Sequence, residues 1–378
     1  MRTLFLLLAF LSGIILSGCS EKSATQSTDT QSTEPTPAEQ EESSPQQEAL
    51  NEIAEDSFRQ TTELLHLGHQ LHIATSELLH TPTDANLKKA QTAYLALLNQ
   101  WVISLPYINM TALTSSGAPL MNRLEKLPIL PGYLDQIPDY PFSGLVHDIM
   151  LPIEHESLSL LHTLDNDEQV IFGLSAIEFL LFDHYSPDHY KKLVPMTTLS
   201  DEEAQEGILI EQLPNNRRRA LLLVQANQLV EDLSSLHKRW HPTNGDDAKR
   251  FASLTGNNLK LTLTKTYQKQ TTLLLDALNS IQEKPLILGR AHFAREERAL
   301  LDSGIVSIKQ LHESVKPVWE LYPQTEKDEF DAVLNSLLDL HQQYQADPSN
   351  SLLLELTSNR CNQLLEISNE LSFSPPEE

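Results

Sequence analysis

Glu178 is the residue in this chain with the clearest capacity for chemistry. It sits in Gly173-Leu174-Ser175-Ala176-Ile177-Glu178-Phe179-Leu180-Leu181-Phe182, a run that is otherwise almost wholly apolar. A helix apolar on most faces is a buried helix. A buried carboxylate needs a hydrogen-bond donor, a cation or a metal, or it holds a proton. Ser175 lies three residues earlier, on the same helical face. Any chemistry is therefore to be sought first at Glu178 and Ser175. No histidine accompanies Ser175 in sequence, so a Ser-His-Asp nucleophile is not indicated.

Other residues could act with Glu178. His147, Asp148, Glu154, His155 and Glu156 cluster just before that run, and Asp183, His184, Asp188 and His189 follow it. Imidazole and carboxylate together suit iron or zinc. If the preceding loop folds back over the helix, Glu178, His147 and Asp148 are the metal ligands to expect, although a polar loop surface is the better account of most of the cluster. His66, His69 and His72 are spaced by three and drift around a helix away from its leucine stripe, as a solvated face does. Arg217, Arg218 and Arg219 are expected to pair with carboxylates. If one faced Glu178, that acid would be a structural tie.

The elements that must hold these residues read as helices. Leu64, Leu67, Leu71, Ala74 and Leu78 recur at three-four spacing within 53–79. Asp84 opens a second helix, expected to close at Leu105 ahead of Pro106. Residues 106–145 carry Pro106, Pro119, Pro128, Pro131, Pro138 and Pro141 with scattered aromatics, which predicts a long, packed, irregular connection. Helices are expected at 153–163 and 167–183. Leu222, Ala226, Leu229, Leu233, Leu236 and Trp240 keep the rhythm of bundle packing over 215–240. More helix is expected at 247–282, 306–321, 326–346 and 350–371. The fold class is all-α: two packed helical bundles, 49–213 and 214–373, with a long irregular loop in the first half and a short tail at 374–378.

Ahead of the body, Arg2 and an apolar run from Leu4 to Leu16 make a signal peptide over 1–18, too short to span a bilayer. Leu16-Ser17-Gly18-Cys19 resembles the lipobox of bacterial lipoproteins, which implies lipidation at Cys19. Ser20, in place of Asp, suggests the outer membrane. Residues 19–48 are polar and Pro-containing, and predict a disordered acidic tether. With Cys19 lipidated, Cys361 has no partner and reads as a small core residue. The net charge of -25 argues against nucleic acid as a partner.

Four segments in order resemble the imelysin family of bacterial periplasmic and lipid-anchored proteins. They are Tyr94 to Trp101; Pro131-Gly132-Tyr133-Leu134-Asp135-Gln136-Ile137-Pro138-Asp139-Tyr140-Pro141 with Ser143 to Val146; Val170 to Phe182; and Arg217 through Trp240. The third looks like the family's Gly-x-His-x-x-Glu motif, with Ser175 in the place of its histidine, and the resemblance implies Gly173, Ser175 and Glu178 as the ligand-binding group. The resemblance implies a binding or accessory protein in iron or other metal acquisition, with an iron-uptake partner protein and a pocket between the Glu178 helix and the 131–148 loop. Some members are named peptidases, so a metallopeptidase is one alternative. The other is an interaction module whose degenerate site takes no ligand. Serine ligates transition metals poorly, and no His-Glu-x-x-His helix exists in the chain. Both points weigh against the peptidase.

Overall fold

A computed structural model describes residues 45–182, 189–282, 292 and 294–373. Among these the α-helices are α1 Pro45–His80, α2 Asp84–Ile108, α3 Ala118–Leu124, α4 Pro131–Leu134, α5 His155–Leu161, α6 Leu174–Leu181, α7 Asp201–Gln205, α8 Pro214–Arg239, α9 Asp246–Ala252, α10 Gly256–Gln282, α11 Glu297–Val315, α12 Gln324–Ala346 and α13 Ser351–Phe373. The described residues contain no β-strand, only an isolated bridge between Ile137 and Tyr140. The all-α expectation therefore holds. The signal peptide, Cys19, most of the tether, Asp183, His184, Asp188 and the 374–378 tail lie outside the described residues.

α1 packs along both α2 and α8, and α10, α11, α12 and α13 form a second set. α11 also packs on α2, where Ser307 Oγ donates to the Ile103 carbonyl at 3.1 Å and Ser303 Oγ to Asn99 at 3.1 Å. The buried apolar side chains make one continuous core from Ala49 to Leu371. α8 opens the segment that begins at residue 214, yet it packs on α1.

Local boundaries differ from the sequence expectation in several places, and the helix expected at 306–321 is α11 at Glu297–Val315 with a 3-10 turn at Lys316–Leu321 behind it. α2 runs through Pro106 to Ile108. Proline removes its own amide donor and its ring crowds the carbonyl four residues back, which a helix tolerates near its end, and the chain tightens into a 3-10 turn at Asn109–Leu113 directly afterwards. The stretch expected to be helical over 167–183 is helical only from Leu174. Its start is set by Gly173, whose φ of +95° falls in the left-handed region. The 247–282 stretch is two helices, parted at Ser253–Thr255.

The end of the long 106–145 connection and the residues after it are held by two arginines of α8. Arg217 donates to the carbonyls of Val146, Leu145 and Leu151 at 2.9, 2.7 and 3.0 Å. Arg218 makes a two-pronged bond to Asp135. An arginine fork suits such planar pairing and loses little freedom in making it.

Candidate functional site

Every residue of α6 is buried, which explains its composition. Gly173 is its N-cap, and a Cβ there would lie 2.2 Å from the Arg123 carbonyl oxygen. The motif glycine is thus required both by its dihedral angle and by α3, which presses against it. The exposed carbonyls at the far end of α6 are satisfied by side chains. Gln91 donates to the Leu181 carbonyl at 2.7 Å, and His189 Nε2 to that of Leu180 at 2.6 Å. His189, a possible metal ligand by sequence, is instead a helix cap.

Glu178 is 2% exposed. Its Oε2 accepts from the Tyr94 hydroxyl on α2 at 3.0 Å, and its Oε1 from the backbone amide of Ala294, just before α11, at 3.0 Å. The carboxylate therefore joins three separated parts of the chain. Tyr94 is fully buried and stacks edge-on to Phe182 at 5.6 Å. Neither Tyr94 nor the Ala294 amide was singled out by sequence. A phenol seven residues before a tryptophan on an apolar helix was the available signal for the first. A backbone donor leaves no sequence signal.

The loop ligands are placed elsewhere. Asp135, 4% exposed, faces Arg218, and His147 Nε2 lies 3.5 Å from its Oδ1, at the outer limit of a hydrogen bond. Burial would raise the Asp135 carboxyl, but the Arg218 fork and the nearby His147 ring outweigh it and hold the group below its ordinary value. Asp148 is exposed and uses its side chain to accept from the Met150 amide at 3.1 Å. Arg219 donates to the Leu193 carbonyl. Among the described residues, Arg218 alone of the three arginines takes a carboxylate, and that carboxylate is Asp135. His155 bonds Ser159, and Glu154 and Glu156 are exposed at the start of α5. His66 and His69 are exposed, and His72 meets Asn227 at 2.7 Å.

His162, unnoticed in the sequence, matters more. Its Nδ1 faces the amide of Ile171 at 3.1 Å and that of Phe172 at 3.4 Å, just upstream of Gly173. An imidazole nitrogen that accepts must be neutral. Burial first, then the charges of Arg123 and Lys126, lower the His162 pKa to about 4.

The motif does not fit a resident transition metal. Ser175 offers a hydroxyl where imidazole would be needed, and both Glu178 oxygens already accept from protein donors. Among the described residues no three or more His, Cys, Asp and Glu side chains gather as a metal would require.

An all-helical body with a buried Gly-x-Ser-x-x-Glu turn-and-helix at its centre defines the class. The family model for imelysin, named as peptidase M75, matches residues 26–349. The chain belongs to the imelysin family. Its structure is similar to that of an imelysin-like protein from Psychrobacter arcticum 273-4, with a TM-score of 0.57 and 14% identity over 86% of this chain and 94% of the other. That likeness speaks to fold alone. No curated protein matches the chain.

Proposed function

We propose that this protein is a non-enzymatic binding or accessory protein of the imelysin family. It is anchored in the periplasm to the outer membrane through lipidated Cys19, and it assists a partner protein in iron or other metal acquisition. The observation that carries the reading is the state of Glu178. A peptidase of the metal type needs an ion, an activated water and a free base. Here the one acid of the motif is committed to Tyr94 and the Ala294 amide, and a serine stands beside it. The anchoring rests on the lipobox-like Leu16-Ser17-Gly18-Cys19 and on a polar tether long enough to hold the body clear of a bilayer. Among the described residues no helix is long and apolar enough to cross one.

The test uses the full chain. Purified protein should neither hydrolyse unfolded polypeptide nor carry stoichiometric iron or zinc, and Glu178→Gln should alter only its melting. Hydrolysis that chelators stop and Glu178→Gln abolishes would overturn the reading in favour of the metallopeptidase. Deleting the gene should lower iron uptake in iron-poor medium, and unchanged uptake would sink the accessory role. Cys19→Ser should move the chain from the membrane fraction to the soluble one.

A further inference from the structure

A surface cavity of about 450 Å³ opens between the 149–154 segment and the start of α8. One wall carries Ile149, Met150 and Ile153, and the facing wall Glu211, Gln212 and Ala220. The two walls are tied, because Gln212 Nε2 donates to the Ile149 carbonyl at 3.1 Å. The turn that presents Met150 is fixed at two more points. Asp148 accepts from the Met150 amide, and Arg217 donates to the Leu151 carbonyl. On this fixed turn Met150 is 84% exposed and Ile149 38%. Leu223, one helical turn beyond Ala220 on α8, is 40% exposed. Large apolar side chains gathered at one cavity, rather than scattered singly, mark a surface that another molecule covers.

The charge around them has one sign. Glu154 and Glu211 line the cavity and are exposed, and Asp148 is exposed on the same turn. Among the described residues neither glutamate is in an ion pair. Arg217, the cation in the lining, is buried and committed to three backbone carbonyls. An apolar centre with an acidic rim complements a segment that is apolar on one face and carries lysine or arginine at its edges. We infer that this groove docks such a basic, amphipathic segment of a partner protein. This docking face rests on the accessory role proposed above, which calls for a partner.

A second copy of the chain fits less well. It would bring an identical acidic rim against this one, in a protein of net charge -25. A bilayer fits less well too. α1 starts at Pro45 beside α9, where Gln47 donates to the Ala252 carbonyl at 3.0 Å, and α9 packs near the Arg239 end of α8. The groove lies at the Pro214 end, about 39 Å away along the 26 residues of that helix. An anchor ahead of Pro45 thus leaves the groove at the far end of the body from its point of attachment.

The experiment titrates the full chain with a fluorescent peptide of leucine and lysine patterned as an amphipathic helix. Two relatives serve as controls, one with glutamate for lysine and one with serine for leucine. Anisotropy should show micromolar binding of the first peptide and none of the others. Met150→Asp should weaken that binding about ten-fold, as loss of one apolar anchor does. Glu154→Lys with Glu211→Lys should weaken it as much and let the glutamate peptide bind. Glu52→Lys with Glu55→Lys, the same change of charge on exposed residues near the start of α1, should do neither. Circular dichroism checks that each variant is folded. Equal weakening by the two double variants would reveal diffuse attraction to an acidic surface and overturn the proposal. So would failure of the first peptide to bind, or equal binding of the serine peptide. Binding to zwitterionic vesicles, or self-association in sedimentation, that Met150→Asp abolishes would also overturn it, in favour of a bilayer or a second copy. None of these readouts uses iron, uptake or membrane fractionation, so the docking face and the accessory role fail separately.

Discussion

At the scale of single residues the motif acid is a fastener. Glu178 receives a phenol from α2 and an amide from the approach to α11, and a glutamine in its place would turn one acceptor into a donor facing a donor. Glu178→Gln should therefore cost about 1–3 kcal/mol, the usual penalty for a broken buried pair. Tyr94→Phe should cost about 1 kcal/mol. The two should couple in a double-mutant cycle read by denaturant unfolding, and strict additivity would show that the bond contributes nothing. His162 gives a pH signature. Its pKa is lowered in the folded state to about 4 from an ordinary 6.5, so between those values the unfolded chain binds a proton that the native one does not. Stability is full above pH 6.5, falls as pH drops toward 4, and levels below that for this group. His162→Asn should flatten that part of the profile, and a slope unchanged in the variant would contradict the assignment. Sequence pointed to Glu178 because a lone acid in an apolar run is conspicuous. It could not point to His162, whose role depends on two amides that the fold brings to it, nor to Asp135, which looks like an ordinary loop acid until Arg218 reaches it.

At the scale of elements, two glycines that look alike in sequence should behave in opposite ways. Gly173 has φ +95°, and a Cβ would meet the Arg123 carbonyl at 2.2 Å. Backbone cannot step aside as a side chain can, so Gly173→Ala should cost about 3 kcal/mol or more, from left-handed strain and the clash together. Gly68 lies inside α1, where a Cβ would meet only the tip of Leu233 at 2.5 Å. The leucine can turn, and alanine favours the helix by about 1 kcal/mol, so Gly68→Ala should stay within about 1 kcal/mol of the parent. Urea midpoints for the two variants check the contrast, and equal losses would refute it. The long helices were legible because three-four spacing survives any tertiary context: α8 was expected at 215–240 and is found at Pro214–Arg239. The 167–173 stretch was misread as helix because its apolar residues are buried for another reason. They run through the core as non-helical chain, pinned by the His162 ring and by Gln225, which donates to the Ile171 carbonyl at 2.7 Å.

At the scale of the molecule, the question is whether the two sets of helices unfold as one. Three links argue that they do. The apolar core is continuous, α11 packs and hydrogen-bonds onto α2, and Glu178 ties α6 to Ala294, three residues ahead of α11. Two separate domains with a thin, polar contact would melt independently, whereas a shared core makes the loss of either half expose apolar surface on the other. The tryptophans divide conveniently for a test. Trp240 is fully buried beside Phe251 and bonds Thr111 in the first set. Trp319 packs against Tyr267, Tyr322 and Phe330 in the second. With Trp101→Phe as background, Trp240→Phe and Trp319→Phe each leave a single reporter on one set. Urea transitions followed by the two remaining fluorophores and by helical dichroism should coincide in midpoint and slope. If the Trp319 reporter moves at lower denaturant than the Trp240 reporter, the second set opens first. The Glu178 tie would then lie at a working hinge rather than inside a single cooperative core.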